Sequence, residues 1–307
     1  MAAVVEVRDL EVSYGKLVAL KKVSLEVHEG ATGLLGPNGA GKSSLIKTLL
    51  GLVRPARGQA SVLGLDVRRQ SLQVRQRVGY LPERDAHIPG MTGFEYVTYC
   101  GLLTGMSRVE ARRRAHEVIE YVGLGEARYR DVDGYSRGMK QRIKLAQALV
   151  HDPDLVFLDE PTNGLDPKGR LEILRLIRHI SADRGLHVIL SSHLLKDVEE
   201  VCPWVIVLAA GSVRAIGALH ELKRDDGARA FRVRLKGEIE PYRSALEKRE
   251  ACAEIDERGE LHVVLPPDAD TRLIFVAARD AGVQVRRVVP AEETLEDIFL
   301  RALEETP

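Results

Sequence analysis

Residues 31–50 read ATGLLGPNGAGKSSLIKTLL, and this stretch decides the fold. A short apolar strand (Gly33, Leu34, Leu35) runs into Gly36-Pro37-Asn38-Gly39-Ala40-Gly41-Lys42-Ser43. An apolar-periodic helix (Leu45, Ile46, Leu49, Leu50) follows. The eight residues satisfy G-x-x-x-x-G-K-[ST] in full, in the strand-to-helix context that gives the pattern meaning. Glycines let the backbone curl so that successive N–H groups point inward with no side chain in the way. The helix behind them adds its positive N-terminal end. Such a cradle suits a nucleoside triphosphate. Lys42 is expected to reach the β- and γ-phosphates and the Ser43 hydroxyl to bind Mg²⁺, with Ser44 opening the helix beside them.

Outward from this loop, residues 155–167 read LVFLDEPTNGLDP. Leu155, Val156, Phe157 and Leu158 make a buried strand that ends in Asp159 and Glu160. A carboxylate at the carboxyl end of such a strand faces the ligand crevice. Asp159 is the expected Mg²⁺ partner and Glu160 the expected general base. Pro161 ends the strand, and Asn163-Gly164-Leu165-Asp166 makes a turn.

Residues 1–30 alternate apolar and polar, as strands with one buried face do. From 92 to 150 the texture is helical: Ala111, Ala115, Val118, Ile119 and Val122 share one face, and Gly123 is placed to stop that helix. The basic run Arg112, Arg113 and Arg114 reads as its solvated side, with a partner contact as the alternative. A helix over 168–181 separates LVFLDE from a further apolar run, HVILSS. Buried strands alternating with helices imply a parallel sheet, and this character persists to about Leu219. After the charged stretch KRDDGAR, strand (228–237), helix (241–250), a hairpin turning at Arg258-Gly259, helix (270–282) and strand (283–290) follow. That β-α-β-β-α-β order matches the ferredoxin-like pattern. An amphipathic helix over 294–305 ends the chain.

The 307 residues suggest two domains, or one with an appendage. Lys plus Arg and Asp plus Glu number 45 each, which gives no bulk charge for nucleic acid, and none is expected as a partner. Cys100, Cys202 and Cys252 are too scattered for a disulfide framework or zinc site. The N-terminus lacks signal-peptide character, and no apolar run approaches the ~20 residues of a spanning helix. A soluble chain is expected, with any membrane crossing done by another polypeptide.

In this order the motifs resemble those of the ATP-binding subunits of ABC transporters, over about residues 4–219. The resemblance implies an α/β P-loop NTPase of ABC type: a parallel sheet core, an antiparallel β subdomain and a helical subdomain at about 87–150. Residues 1–219 form the ATPase domain and 220–307 a small α+β ferredoxin-like accessory domain. Tyr135-Ser136-Arg137-Gly138-Met139-Lys140-Gln141-Arg142 looks like the family's signature sequence. Ser136 can cap a helix over 139–150, and a capped N-terminus is an anion site. In the family Ser136 and Gly138 act on nucleotide held by the opposite subunit. By the same resemblance His193 is the switch histidine facing the γ-phosphate, Tyr14 stacks on adenine, and Asp166 links the two half-sites.

Two residues depart from the family pattern. Glu83, in the loop VGYLPERD, stands where the family has Gln; either can offer an oxygen to Mg²⁺ or water. Arg137 stands where the signature has a glycine, at a cost of roughly 1 kcal/mol or more if φ is positive there. The resemblance further implies Mg²⁺-dependent ATP hydrolysis within a homodimer on the cytoplasmic face of the cell membrane, powering an exporter whose polytopic permease is a separate polypeptide. The exporter branch is indicated by the Tyr-led signature, the Pro-Glu loop and the C-terminal extension. A soluble mechanical ATPase of ABC type is the alternative, but the chain has neither coiled-coil arms nor a second phosphate loop. A regulator without turnover is disfavoured by intact Lys42, Asp159, Glu160 and His193. Glu83→Gln is expected to remain competent; complete loss of ATPase activity in that variant would show that Glu and Gln do not share a simple role there.

Overall fold

The computed structural model describes residues 3–85, 87–222, 229–255, 261–266 and 269–290, together with 295, 296 and 299. Two compact units emerge, one from Met1 to Leu219 and one from His220 to Ile298.

The first unit begins with β1 (Val5–Tyr14), β2 (Leu17–Val27), β3 (Ala31–Leu35), α1 (Lys42–Leu49), β4 (Arg57–Val62), β5 (Leu65–Asp66), α2 (Ser71–Arg77) and β6 (Val78–Leu81). The helices α3 (Gly93–Leu103), α4 (Arg108–Tyr121) and α5 (Arg137–Leu149) follow. It continues with β7 (Leu155–Asp159), α6 (Pro167–Arg184), β8 (His187–Ser192), α7 (Leu195–Val201), β9 (Trp204–Ala209) and β10 (Ser212–Ala218).

Six strands in the order β10-β9-β3-β8-β7-β6 make the central sheet, parallel throughout except for β10. Every residue of β3 and β7 is buried, as parallel strands covered on both faces must be. A second sheet, β2-β1-β4-β5, is antiparallel. The alternating residues Val5, Val7, Leu10 and Val12 of β1 go into a core with Leu45, Ile46 and Leu49 of α1. The helical region is set by its caps. The Thr92 hydroxyl accepts from Glu95 N at 3.3 Å while Glu95 Oε2 accepts from Thr92 N at 3.0 Å, a capping box. Ser107 caps α4, and Gly123 with φ 74° lies just past its end. The Ser136 hydroxyl accepts from Met139 N at 3.3 Å to cap α5.

Three local expectations need correction. Residues 78–81 are an edge strand of the parallel sheet rather than part of a loop. The four-residue run VGYL is too short to show periodicity and gains its pairing from Leu155–Leu158 across the sheet. Helix α5 begins at Arg137, two residues earlier than the reading from Met139, because the Ser136 cap sets the first turn. Helix α6 extends from Pro167 to Arg184, beyond the expected 168–181, stopped by Gly185 with φ 63°.

The second unit holds α8 (Leu219–Leu222), which bridges the boundary, then β11 (Arg229–Lys236), α9 (Ile239–Glu247), β12 (Cys252–Ile255), β13 (Leu261–Leu265), α10 (Arg272–Asp280) and β14 (Gln284–Pro290). Its sheet order is β12-β13-β11-β14, with antiparallel neighbours. This is the ferredoxin-like arrangement expected from the element order. Its own core includes Val233, Tyr242, Leu246, Val263 and Ile274. The turn at Arg258-Gly259, most of the stretch KRDDGAR and most of the helix expected over 294–305 lie outside the described residues.

Phe157 is fully buried in β7, between β6 and β8. Phe157→Ala is expected to cost about 3–5 kcal/mol of stability. Urea unfolding checks this, and a change below about 1 kcal/mol would show that the central sheet is not packed as described.

Candidate functional site

Four adjacent strands, β3, β8, β7 and β6, run parallel, so their carboxyl ends meet along one edge. Register puts Leu35 beside Ser192, Asp159 beside Ser191, and Leu81 beside Leu158. The chain leaving these ends carries the phosphate loop, His193, Asp159 with Glu160, and Glu83. Residues distant in sequence thus line one cleft of about 770 Å³ with Tyr14, Pro37, Asn38, Gly39, Ala40, Gly41, Lys42, Ser43 and Ser44. Ligands of α/β sheets occupy this edge for the same reason.

The loop needs its glycines. Gly41 has φ 106°, and a Cβ there would stand 2.7 Å from the Ala19 carbonyl oxygen. At Gly36 a Cβ would stand 2.3 Å from the Leu208 carbonyl oxygen. Gly36 therefore packs beneath the cleft rather than lining it, and its carbonyl accepts from Lys42 Nζ at 2.6 Å. Pro37 O accepts from the same ammonium at 3.3 Å, and Glu160 Oε1 lies 3.7 Å away. Burial pulls the Lys42 pKa below the ordinary lysine value, against the pull of Glu160, Asp159 and Glu83.

Glu160 is buried and adopts φ 51°, a left-handed conformation that costs a non-glycine residue roughly 1–2 kcal/mol. Two backbone hydrogen bonds hold it there: Glu160 N donates to Ser191 O at 2.9 Å, and Asn163 N donates to Glu160 O at 3.1 Å. The bend aims the carboxylate at both neighbours. One oxygen faces Lys42, and the other lies 2.8 Å from His193 Nδ1. Buried Asp197 of α7 supports the loop from behind, accepting from the Thr162 hydroxyl and the Arg170 guanidinium.

For the expected Mg²⁺, the donor set is the Ser43 hydroxyl with the carboxylates of Asp159 and Glu83, all hard oxygens. Asp159 is 3% exposed, and its Oδ1 has no hydrogen-bond partner, so an oxygen is available to a cation or its water. Among the described residues no three or more His, Cys, Asp or Glu side chains gather into a metal cage. Burial, with Asp159 and Glu83 adding to it, pushes the pKa of the Tyr80 hydroxyl up to about 12.

Ser136, Gly138 and Asp166 are not in this cleft. They line a separate surface hollow of about 550 Å³ with Arg137, Gly164 and Lys168. Arg137 opens α5 without positive φ, so the cost expected for a non-glycine residue does not arise. Its guanidinium donates to Gly164 O at 3.3 Å. The cleft also uses residues that sequence reasoning missed. Leu17 and Val18 form an exposed apolar wall beside Tyr14, and Ala19, Lys21, Asn163, Ala210 and Gly211 complete the lining. For Leu17 and Val18 the available signal was two apolar residues next to the aromatic at a strand turn. For Asn163 it was its place three residues after Glu160.

The family model described as ABC transporter matches residues 20–163, and the model for the C-terminal domain of DrrA1-3-like ATP-binding proteins matches residues 217–303. The uncharacterized ABC transporter ATP-binding protein YxlF of Bacillus subtilis (strain 168) is 36% identical over 298 residues, covering 95% of this chain and 96% of YxlF. The daunorubicin/doxorubicin resistance ATP-binding protein DrrA of Streptomyces peucetius is 39% identical over 232 residues, 75% of this chain and 70% of DrrA. Among solved structures, the ATP-binding cassette MJ0796, in a dimeric post-hydrolysis state bound to ADP and Pi, matches with a TM-score of 0.64 at 25% identity, over 70% of this chain and 98% of that chain. Likeness running nearly end to end of YxlF, with the two family models falling in the same order as the two units, makes this chain an ABC transporter ATP-binding protein, and so an ATPase.

Proposed function

We propose that this chain is the energy subunit of a membrane exporter, hydrolysing Mg·ATP within a homodimer. Residues 1–219 form the ATPase domain and 220–307 an accessory domain. The observation that carries the hydrolytic reading is Glu160, held in a left-handed bend between Lys42 and His193 at the end of β7.

The loop amides and Lys42 hold the triphosphate, with phosphate oxygens replacing the carbonyls that Lys42 now contacts. Tyr14 offers its ring, 45% exposed, to the adenine. Ser43, Asp159 and Glu83 hold Mg²⁺, which neutralises charge on the phosphates when bound. Glu160 takes a proton from the attacking water, and its burial keeps bulk solvent from competing. His193, with Nδ1 turned to Glu160, keeps Nε2 for the γ-phosphate. Ser136, Gly138 and Asp166 serve the nucleotide of the partner copy, which explains their place on another surface. ATP therefore favours the closed pair and hydrolysis releases it, a ligand-driven shift between two states. The dimeric state of MJ0796 supports this reading.

The exporter assignment is supported by DrrA, named for drug resistance, and by the DrrA1-3-like C-terminal match. No described helix is long and apolar enough to cross a membrane. A separate polytopic permease then does the spanning, with this subunit on its cytoplasmic face.

Glu160→Gln is expected to bind Mg·ATP and form a stable dimer while turnover falls by about 10²–10⁴-fold. Light scattering with ATP and phosphate release check the two halves; unchanged release removes Glu160 as the base. Lys42→Ala should abolish Mg²⁺-dependent nucleotide affinity, measured by equilibrium binding, and retained affinity would overturn the assignment of the cradle. Affinity purification from membranes should recover a polytopic protein, and its consistent absence would favour a mechanical ATPase outside transport.

A further inference from the structure

Lys144 takes no part in the reaction described above. It lies on α5, eight residues after Ser136, and is 2% exposed. An ammonium so deeply buried needs compensation, because an unpaired charge in a low-dielectric interior is costly. Its three donors find oxygens in the short segment after β6. Nζ donates to Pro82 O at 3.0 Å and Glu83 O at 3.2 Å, and lies 3.4 Å from Asp85 Oδ1. Burial lowers its pKa, while the charges of Asp85, Glu83 and Asp159 act in the opposite direction.

That segment carries Glu83, which lines the nucleotide cleft together with Asp159 and Glu160. Among the described residues the buried lysines are Lys42 and Lys144, and both feel Glu83 and Asp159. Lys42 is committed to phosphate. The carboxylate that pairs with Lys144 is that of Asp85, while Glu83 offers it the backbone carbonyl.

We propose that Lys144 is a positioning residue for the hydrolytic site: from the signature helix it ties down the segment bearing Glu83, through the carbonyls of Pro82 and Glu83 and the carboxylate of Asp85. This rests on the cleft being the Mg·ATP site. Like other outer partners of metal ligands, Lys144 would set both the place and the basicity of the group it supports.

The test uses the full chain as wild type, Lys144→Met, Glu83→Ala and the double variant. The readouts are the half-saturating Mg²⁺ for binding a fluorescent ATP analogue without turnover, and steady-state kcat and KM. Lys144→Met is expected to change the Mg²⁺ dependence and lower kcat by about tenfold. In the Glu83→Ala background, where the positioned group is gone, the same substitution should change either by less than about threefold, the mark of coupling between the two residues. Equal fold-changes in both backgrounds would overturn the proposal, since a lysine that only fills the core acts additively. Unchanged Mg²⁺ dependence in Lys144→Met would overturn it too. Should Lys144→Met fail to fold, Lys144→Gln, which keeps amide donors but no charge, must show the same coupling. A wild type that binds no analogue with Mg²⁺ removes the parent reading as well; a binding wild type with additive variants removes only the role of Lys144.

Discussion

Lys42 and Glu160 face each other at 3.7 Å with 7% of each side chain exposed, and the site is organised around that pair. Burying two opposite charges rarely stabilises a fold, since desolvation takes back most of the attraction. The protein meets this cost with further contacts. Lys42 gains the carbonyls of Gly36 and Pro37, and Glu160 gains His193. Charges fixed in place before the reaction are the kind that stabilise a transition state most effectively.

The sheet makes the pair possible. Only parallel neighbours bring several carboxyl ends to one edge, and the β3-β8-β7-β6 order places four functional segments side by side. The left-handed backbone at Glu160 then turns the carboxylate off the strand line toward both partners. Strain at such a residue persists because neighbouring hydrogen bonds over-determine it. Lys144 adds a second link, from α5 to the Glu83 segment. The carboxylates of the cleft are thus approached from two elements that belong to different parts of the first unit.

Much of the site was legible from the chain. Gly36, Gly41, Lys42 and Ser43 announce themselves because a phosphate cradle admits few residue types, and the apolar run before Asp159 marks a buried strand whose end must face a ligand. Tyr14, Glu83 and His193 needed the family resemblance, since no local pattern distinguishes them from ordinary surface residues. The strand at Val78–Leu81 escaped because edge pairing, not propensity, creates it. The apolar wall of Leu17 and Val18 escaped because its role depends on what lies across the cleft.

Local chemistry decided what depends on neighbours in the chain: the curl of the phosphate loop, the cap at Ser136, and the element order of both units. Such features need only backbone sterics and hydrogen bonds a few residues apart. Tertiary structure alone decided what depends on distant neighbours. It brought Lys42, Glu83, Glu160 and His193 into one cleft and kept Ser136, Gly138 and Asp166 out of it. It also buried Lys144 against the Glu83 segment. These outcomes follow from strand order and burial, which arise only when separate segments share one sheet edge and one excluded-water interior.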